Sequence, residues 1–185
     1  VMKPFLDQHL RDKKPAKPTP PVLTFRTGEG GWQISQNFPA GKLKPLYLQA
    51  NFGLSFAPPP AGPAHDDYVS DPAKPVPFVP RPIHWRDADV WKPWLVTDQR
   101  FVADRTDVLT YTSAPLESPV HIMGQPMVDL HTATSGTDSD WVVKLIDVYP
   151  EEMSNDPKLA GYQLGIGMEI FRGRYVGGFE KPAAL

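Results

Sequence analysis

Acyl transfer needs a nucleophile beside a base, with a third group orienting that base. The chain has five histidines, no cysteine and no G-x-S-x-G nucleophile elbow. His9 precedes Leu10 in an opening helical stretch, His65 precedes Asp66-Asp67 in a proline-rich loop, and His84 adjoins Trp85. His121 and His131 fall in stretches whose pattern predicts strands. Catalytic groups with shifted pKa values belong in clefts built by several elements, and no histidine here carries such a context in its neighbouring residues. We therefore assign no catalytic residue.

Metal and cofactor chemistry find equally little footing. His65-Asp66-Asp67 is the best candidate for a cation, followed by Asp138 with Asp140. Calcium needs six or more converging oxygens, and two neighbouring carboxylates supply too few, so turn formation explains both pairs more simply. Gly28, Gly30 and Gly31 lack the lysine and the following helix of a phosphate loop. Trp85, Trp91, Trp94 and Phe101 have two readings: a stacking platform for a sugar or aromatic acyl group, or the apolar underside of a long connection. Packing is favoured. Arg172 and Arg174 flank Gly173, which predicts one strand face meeting carboxylates at a domain contact, with a solvated edge as the other reading. No cofactor or metal is assigned.

The elements that must position these residues are limited by composition. The chain has 185 residues, 41% hydrophobic and 22% charged, which suits a globular domain. A formal charge of -2 gives no pull toward phosphate backbones or anionic membranes, so neither nucleic acid nor membrane is an expected partner. No apolar run reaches the roughly 20 residues of a membrane span, and the opening VMKPFLDQHLRDKK lacks the apolar segment of a signal peptide; any export signal is expected upstream of Val1. Proline is abundant, 23 of 185 residues. PAKPVPFVPRP, Pro72 to Pro82, must run extended along a surface or sheet edge, because proline lacks the ladder N–H and fixes φ.

Met2, Phe5, Leu6 and Leu10 recur at helical spacing, and Lys13 to Pro18 closes that helix. Val22 to Arg26 reads as a strand, Thr27 to Gly31 as a loop, and a new segment begins at Trp32. Leu46 to Ala50 and Leu54 to Phe56 read as short strands joined through a turn at Asn51-Phe52-Gly53. Trp85 to Phe101 reads as an irregular covering layer. Further strands are predicted over Val108 to Thr112, Val120 to Met123, Met127 to Ser135, Trp141 to Tyr149 and Leu164 to Tyr175. With no helices between them, they predict an antiparallel sandwich or jelly roll. Gly136 to Asp140 turns the chain. In the strand after it, Val142, Ile146 and Val148 face one side and Trp141, Val143 and Leu145 the other, so a second body is expected over part of this sheet.

Several long, irregular motifs carry a family resemblance. They are PFLDQHL at Pro4 to Leu10, PLYLQA at Pro45 to Ala50, YVSDPAKPVPFVPRP at Tyr68 to Pro82, and WLVTDQRFVADRTDVLTYTSAPL at Trp94 to Leu116. SGTDSDWVVKLIDVYPEE at Ser135 to Glu152 and IFRGRY at Ile170 to Tyr175 complete the set. With these the chain resembles the C-terminal part of the α-amino-acid ester hydrolases, a group that includes cocaine esterase, glutaryl acylases and X-Pro dipeptidyl peptidases.

The resemblance implies a plan of α/β-hydrolase domain, helical cap and C-terminal jelly roll. On that plan residues 1–14 are the last helix of the hydrolase domain and 15–21 a linker. Residues 22–185 form a partial, galactose-binding-like jelly-roll β-sandwich, incomplete at its C-terminus, with a proline-rich excursion over 57–104. It also implies that the Ser, Asp and His of the triad precede the segment matching Val1, so this chain alone is expected to be inactive. The implied role is a non-catalytic domain that covers the hydrolase core and helps wall the acyl pocket. Implied partners are its own hydrolase and cap domains and, for oligomer contacts, further copies; the implied compartment is the periplasm or outside. The rival reading is a free-standing β-sandwich module binding carbohydrate, since architecture alone does not fix function.

Overall fold

A computed structural model describes residues 2–11, 17–28, 30–62, 64–82 and 92–185. Two compact units emerge: residues 1–44 with 117–125, and residues 45–116 with 126–185. The expected class, mainly β with one short opening helix, is what the elements form.

In the first unit, helix α1 spans Met2–Leu10. Lys3 and Arg11 each reach Asp7 at four-residue spacing, at 2.5 and 3.4 Å, as neighbours on one helix face do. The apolar stripe Met2, Phe5, Leu6 and Leu10 is exposed. The backbone N–H of Thr19 donates to Gln8 Oε1 at 2.5 Å, tying the chain that leaves α1 back onto it. Strands β1 (Val22–Arg26) and β2 (Gly31–Ser35) form an antiparallel hairpin, with Leu23 opposite Ile34 and Phe25 opposite Trp32. Its turn uses Gly30 at φ +65°, whose N–H donates to the Arg26 carbonyl at 3.0 Å. The loop was legible in the sequence; the second strand, beginning next to Trp32, was not assigned.

In the second unit, β3 (Tyr47–Gln49) and β4 (Gly53–Ser55) pair antiparallel, and β5 (Thr112–Ser113) joins β4 in parallel. That parallel pairing departs from the all-antiparallel expectation. The β3–β4 turn sits where the sequence placed it, with Asn51 and Phe52 both in the left-handed region at φ +57° and +56°. Two such residues in succession match the right-handed twist of a tight hairpin. Strands β6 (Asp140–Val148) and β7 (Gln163–Arg172) form the longest hairpin, with a register shift between Leu145 and Ile146. Their side chains are half-buried or exposed on both faces, as expected for a sheet not closed over on either side.

Three expected strands shrink or vanish. Val108 to Thr112 yields only the start of β5, because Val108 donates back to the Arg105 carbonyl in a turn. Val120 to Met123 and Met127 to Ser135 contribute to no ladder among the described residues; a strand exists only where a neighbour satisfies its N–H and C=O groups. Among its described residues the excursion contains a 3-10 turn at Lys92–Val96 and the helical turn α2 (Arg100–Ala103), where the sequence reading had left it irregular.

Candidate functional site

A lysine links a buried polar side chain to the proline-rich excursion. Among the described residues only Val79 and Val102 are buried apolar side chains, and Gln99, 7% exposed, is the buried polar one. Lys144, on β6, donates from Nζ to Gln99 Oε1 at 2.6 Å and lies over the Phe78 ring, 5.5 Å from its centroid. Phe78 meets Trp94 at 5.3 Å between centroids. Gln99 is held at three further points of the backbone: its N–H donates to Gln163 O at 3.0 Å, its Nε2 to Thr97 O at 2.7 Å, and the Val102 N–H returns to Gln99 O at 3.2 Å.

Burial pushes the Lys144 ammonium below its ordinary range. Burial alone would raise neighbouring Asp98, but hydrogen bonds from Arg100 and from the Gln163 N–H hold it low. The cluster fastens the proline-rich excursion and the segment around α2 onto the β6–β7 hairpin. It gives Trp94 its surroundings: half-buried against Phe78, it packs, as the favoured reading of the aromatic group expected. Phe101 is half-buried as well. Trp85 and Trp91 lie outside the described residues.

A second set of charges closes the base of that hairpin. Arg172 Nε donates to Asp140 at 3.2 Å, and Arg174 donates to Asp138 from Nε at 2.7 Å and again from a terminal nitrogen. The Arg174 hydrogen bond holds the Asp138 carboxyl below its ordinary value and raises the guanidinium in return. Both arginines therefore meet carboxylates within the chain. They do not share a strand face, because Arg174 lies in the 3-10 turn Gly173–Tyr175 that follows β7. Asp138 and Asp140, considered for calcium, are each engaged by an arginine.

A third group joins β5's approach to the proline-rich loop. Tyr111 donates to Asp66 Oδ2 at 2.5 Å and meets Phe52 edge-on at 5.7 Å. Burial, and then the hydrogen bond to Asp66, push the phenol up to about 12. His65 Nε2 sits 3.5 Å from Asp67, both well exposed. His9, in the last turn of α1, meets the Phe5 ring at 4.6 Å in a tilted arrangement. His121 and His131 are exposed, in the stretches where the predicted strands do not form, and His84 lies outside the described residues. Among the described residues no three His, Asp or Glu side chains converge as a metal site would require, and none of their helices is long and apolar enough to cross a membrane.

Lys144, Gln99 and Tyr111 were not singled out from the sequence. The one available signal was a lysine in the middle of the largely apolar strand WVVKLIDV, where a charge on a half-covered face is costly.

Geometry of this kind fastens segments together; it does not assemble a nucleophile, a base and an oxyanion site. The comparisons with known proteins agree with that character. Residues 15–180 match the X-Pro dipeptidyl-peptidase C-terminal non-catalytic domain. The chain belongs to that family.

An α-amino acid ester hydrolase of known structure superposes on this non-catalytic domain with a TM-score of 0.90, at 54% identity, covering 100% of the chain and 31% of the other. An aminopeptidase from a marine sediment Thaumarchaeota archaeon gives 0.91 at 46% identity, covering 100% and 30%. Cocaine esterase from Rhodococcus sp. (strain MB1 Bresler) is 31% identical over 160 residues, 80% of this chain and 27% of its own length. The chain thus spans under a third of each of these relatives. The jelly-roll β-sandwich class expected from the sequence stands with these matches, and the free-standing carbohydrate module is not favoured by them.

Proposed function

We propose that this domain is the C-terminal β-domain of a serine acyl hydrolase acting on α-amino-acid esters or amides. The observation that carries the reading is the 54% identity to an α-amino acid ester hydrolase across the whole chain. Its own work is structural: it covers the hydrolase core, helps wall the acyl pocket and adds contacts between copies. The serine, its base and the oxyanion donors belong to the α/β-hydrolase domain of the parent protein. The family match begins at residue 15, after α1, which supports reading residues 1–14 as the last helix of that preceding domain. The proposed compartment, periplasmic or outside the cell, rests on resemblance to exported relatives.

An assay of the parent protein tests this directly, comparing an α-amino-acid methyl ester, the same ester without its amino group, and an X-Pro anilide. Preferential hydrolysis of the amino ester, abolished by a serine-directed fluorophosphonate, is the expected result. Absence of any acyl hydrolysis by the parent protein overturns it. The 185-residue chain alone should show no turnover above background.

A further inference from the structure

Residues 96–100 form a strap beside the first residues of β7 without pairing as a strand. The Tyr149 N–H donates to Tyr162 O at 2.9 Å, which turns Tyr162 toward the β6 side of the hairpin. Peptide groups alternate along an antiparallel strand, so those of Gln163 point away from β6 and those of Leu164 back toward its partner Asp147. The outward groups of Gln163 would be an open sheet edge, and the strap closes it. The Gln163 N–H donates to Asp98 Oδ1 at 3.2 Å, and its carbonyl accepts from the Gln99 N–H at 3.0 Å. A carboxylate thus stands where a neighbouring strand would offer a carbonyl. Around it, the Tyr162 phenol donates to Val96 O, Arg100 Nη1 donates to Ala160 O at 3.3 Å, and Lys144 Nζ donates to Gln99 Oε1 at 2.6 Å.

Strap and hairpin are held by different means. β6 and β7 share nine residue pairs in one ladder. Of the strap's side chains only Gln99 is buried; Thr97 and Asp98 are half-buried, and Val96 and Arg100 are exposed. A polar joint with little apolar burial sits at the low end of local stability, whereas a continuous ladder opens only with its whole sheet. Asp98 is the hub of the joint. Its carboxylate also accepts from the Arg100 N–H at 3.1 Å and from Arg100 Nε at 2.7 Å, so one group both orders the end of the strap and grips β7.

We propose that residues 96–100 are a releasable strap, gripped by the Asp98 carboxylate, that opens from β7 while β6 and β7 stay paired. Opening frees the outer edge of β7 at Gln163 and takes the Gln99 amide off the Lys144 ammonium. The device lies wholly within this domain and is independent of the reaction of the parent protein.

Site-resolved hydrogen exchange of the full-length parent protein tests it, each amide taken relative to its intrinsic rate. Gln99 and Gln163 should exchange at a common relative rate, on the order of tenfold faster than Leu164, the scale set by a joint of surface hydrogen bonds. Asp98→Ala should speed Gln99 and Gln163 further and leave Leu164 unchanged. Should that variant fail to accumulate, Tyr162→Phe removes the bond to Val96 O and keeps the ring beside Tyr149, with the same result expected on a smaller scale. Gln163 and Leu164 exchanging together overturns the proposal, since strap and hairpin would then open as one body. A fast Gln163 beside a slow Gln99 overturns it too, because the strand end then frays without the strap. So does Asp98→Ala if it speeds Leu164 as much as Gln163.

Discussion

Tyr111 is the residue whose chemistry leaves the clearest signature. Its phenol is about 12 in the folded chain against an ordinary value of 10.0, so between those values the unfolded chain ionises while the native one does not. The stabilisation is complete below about pH 10 and is lost as pH rises toward about 12. Tyr111→Phe keeps the ring against Phe52 and removes the titration, so the change in urea midpoint from about pH 9 to pH 11 should be shifted toward higher stability in the variant relative to the wild type. Asp138 acts at the other end: its carboxyl is held low by Arg174, so its contribution is present above pH 3.8 and fades as pH falls through its folded value. Asp138→Asn should flatten that acid limb. Backbone conformation makes a separate prediction. Asn51 occupies the left-handed region, which non-glycine residues enter at a cost of about 1–2 kcal/mol and asparagine tolerates best. Asn51→Ala should therefore destabilise by about 1 kcal/mol in equilibrium denaturation, and Asn51→Gly should not.

At the scale of elements, β6 holds a half-buried ammonium whose partner is the buried Gln99 amide. Lys144→Met keeps the volume and removes the desolvated charge, but leaves Gln99 Oε1 without its donor, a loss of about 1–3 kcal/mol. Adding Gln99→Leu removes that orphan, so the double variant should lose less stability than the two single variants together, by more than about 0.5 kcal/mol. The pH dependence has a definite sign. With its folded value depressed below 10.5, Lys144 sheds its proton first in the native state, so stability rises with pH across that interval, until Tyr111 opposes it above about 10; Lys144→Met should abolish the rise. The Asn51–Phe52 turn was legible because local residues determine it, an asparagine two residues before a glycine-led strand. The strands β6 and β7 were legible as apolar runs, but their pairing was not: the sequence reading had Gly136 to Asp140 joining Met127–Ser135 to Trp141–Tyr149, whereas β6 pairs with β7 across residues 149–162. The stretches around Val120 and Met127 have the same β-favouring residues and form no ladder among the described residues, since pairing is decided by a neighbour and not by the segment itself. The Lys144–Gln99 contact joins residues 45 positions apart, and nothing local to either residue announces the other.

The whole molecule is defined by how much it leaves uncovered. Among the described residues only Val79 and Val102 are buried apolar side chains, while Trp32, Ile34, Leu48, Val142, Ile170 and many other large apolar groups stand open. Its apolar side chains are still ordered into faces, on the β1–β2 hairpin, along α1 and on both sides of β6–β7, and the backbone follows relatives more than three times as long with TM-scores of 0.90 and 0.91. A shape kept to that degree while so much apolar surface stays open is a shape suited to neighbours. The 185-residue chain produced alone should therefore bind a hydrophobic dye strongly, self-associate in a concentration-dependent way and unfold over a broad denaturant range, because each small sheet opens nearly independently. Within the parent protein the same residues should resist exchange of their amide hydrogens in β6 and β7 and unfold together with the hydrolase body. A sharp, dye-free, monomeric transition of the isolated chain would refute this account, since it would mean that so few buried side chains suffice as a core.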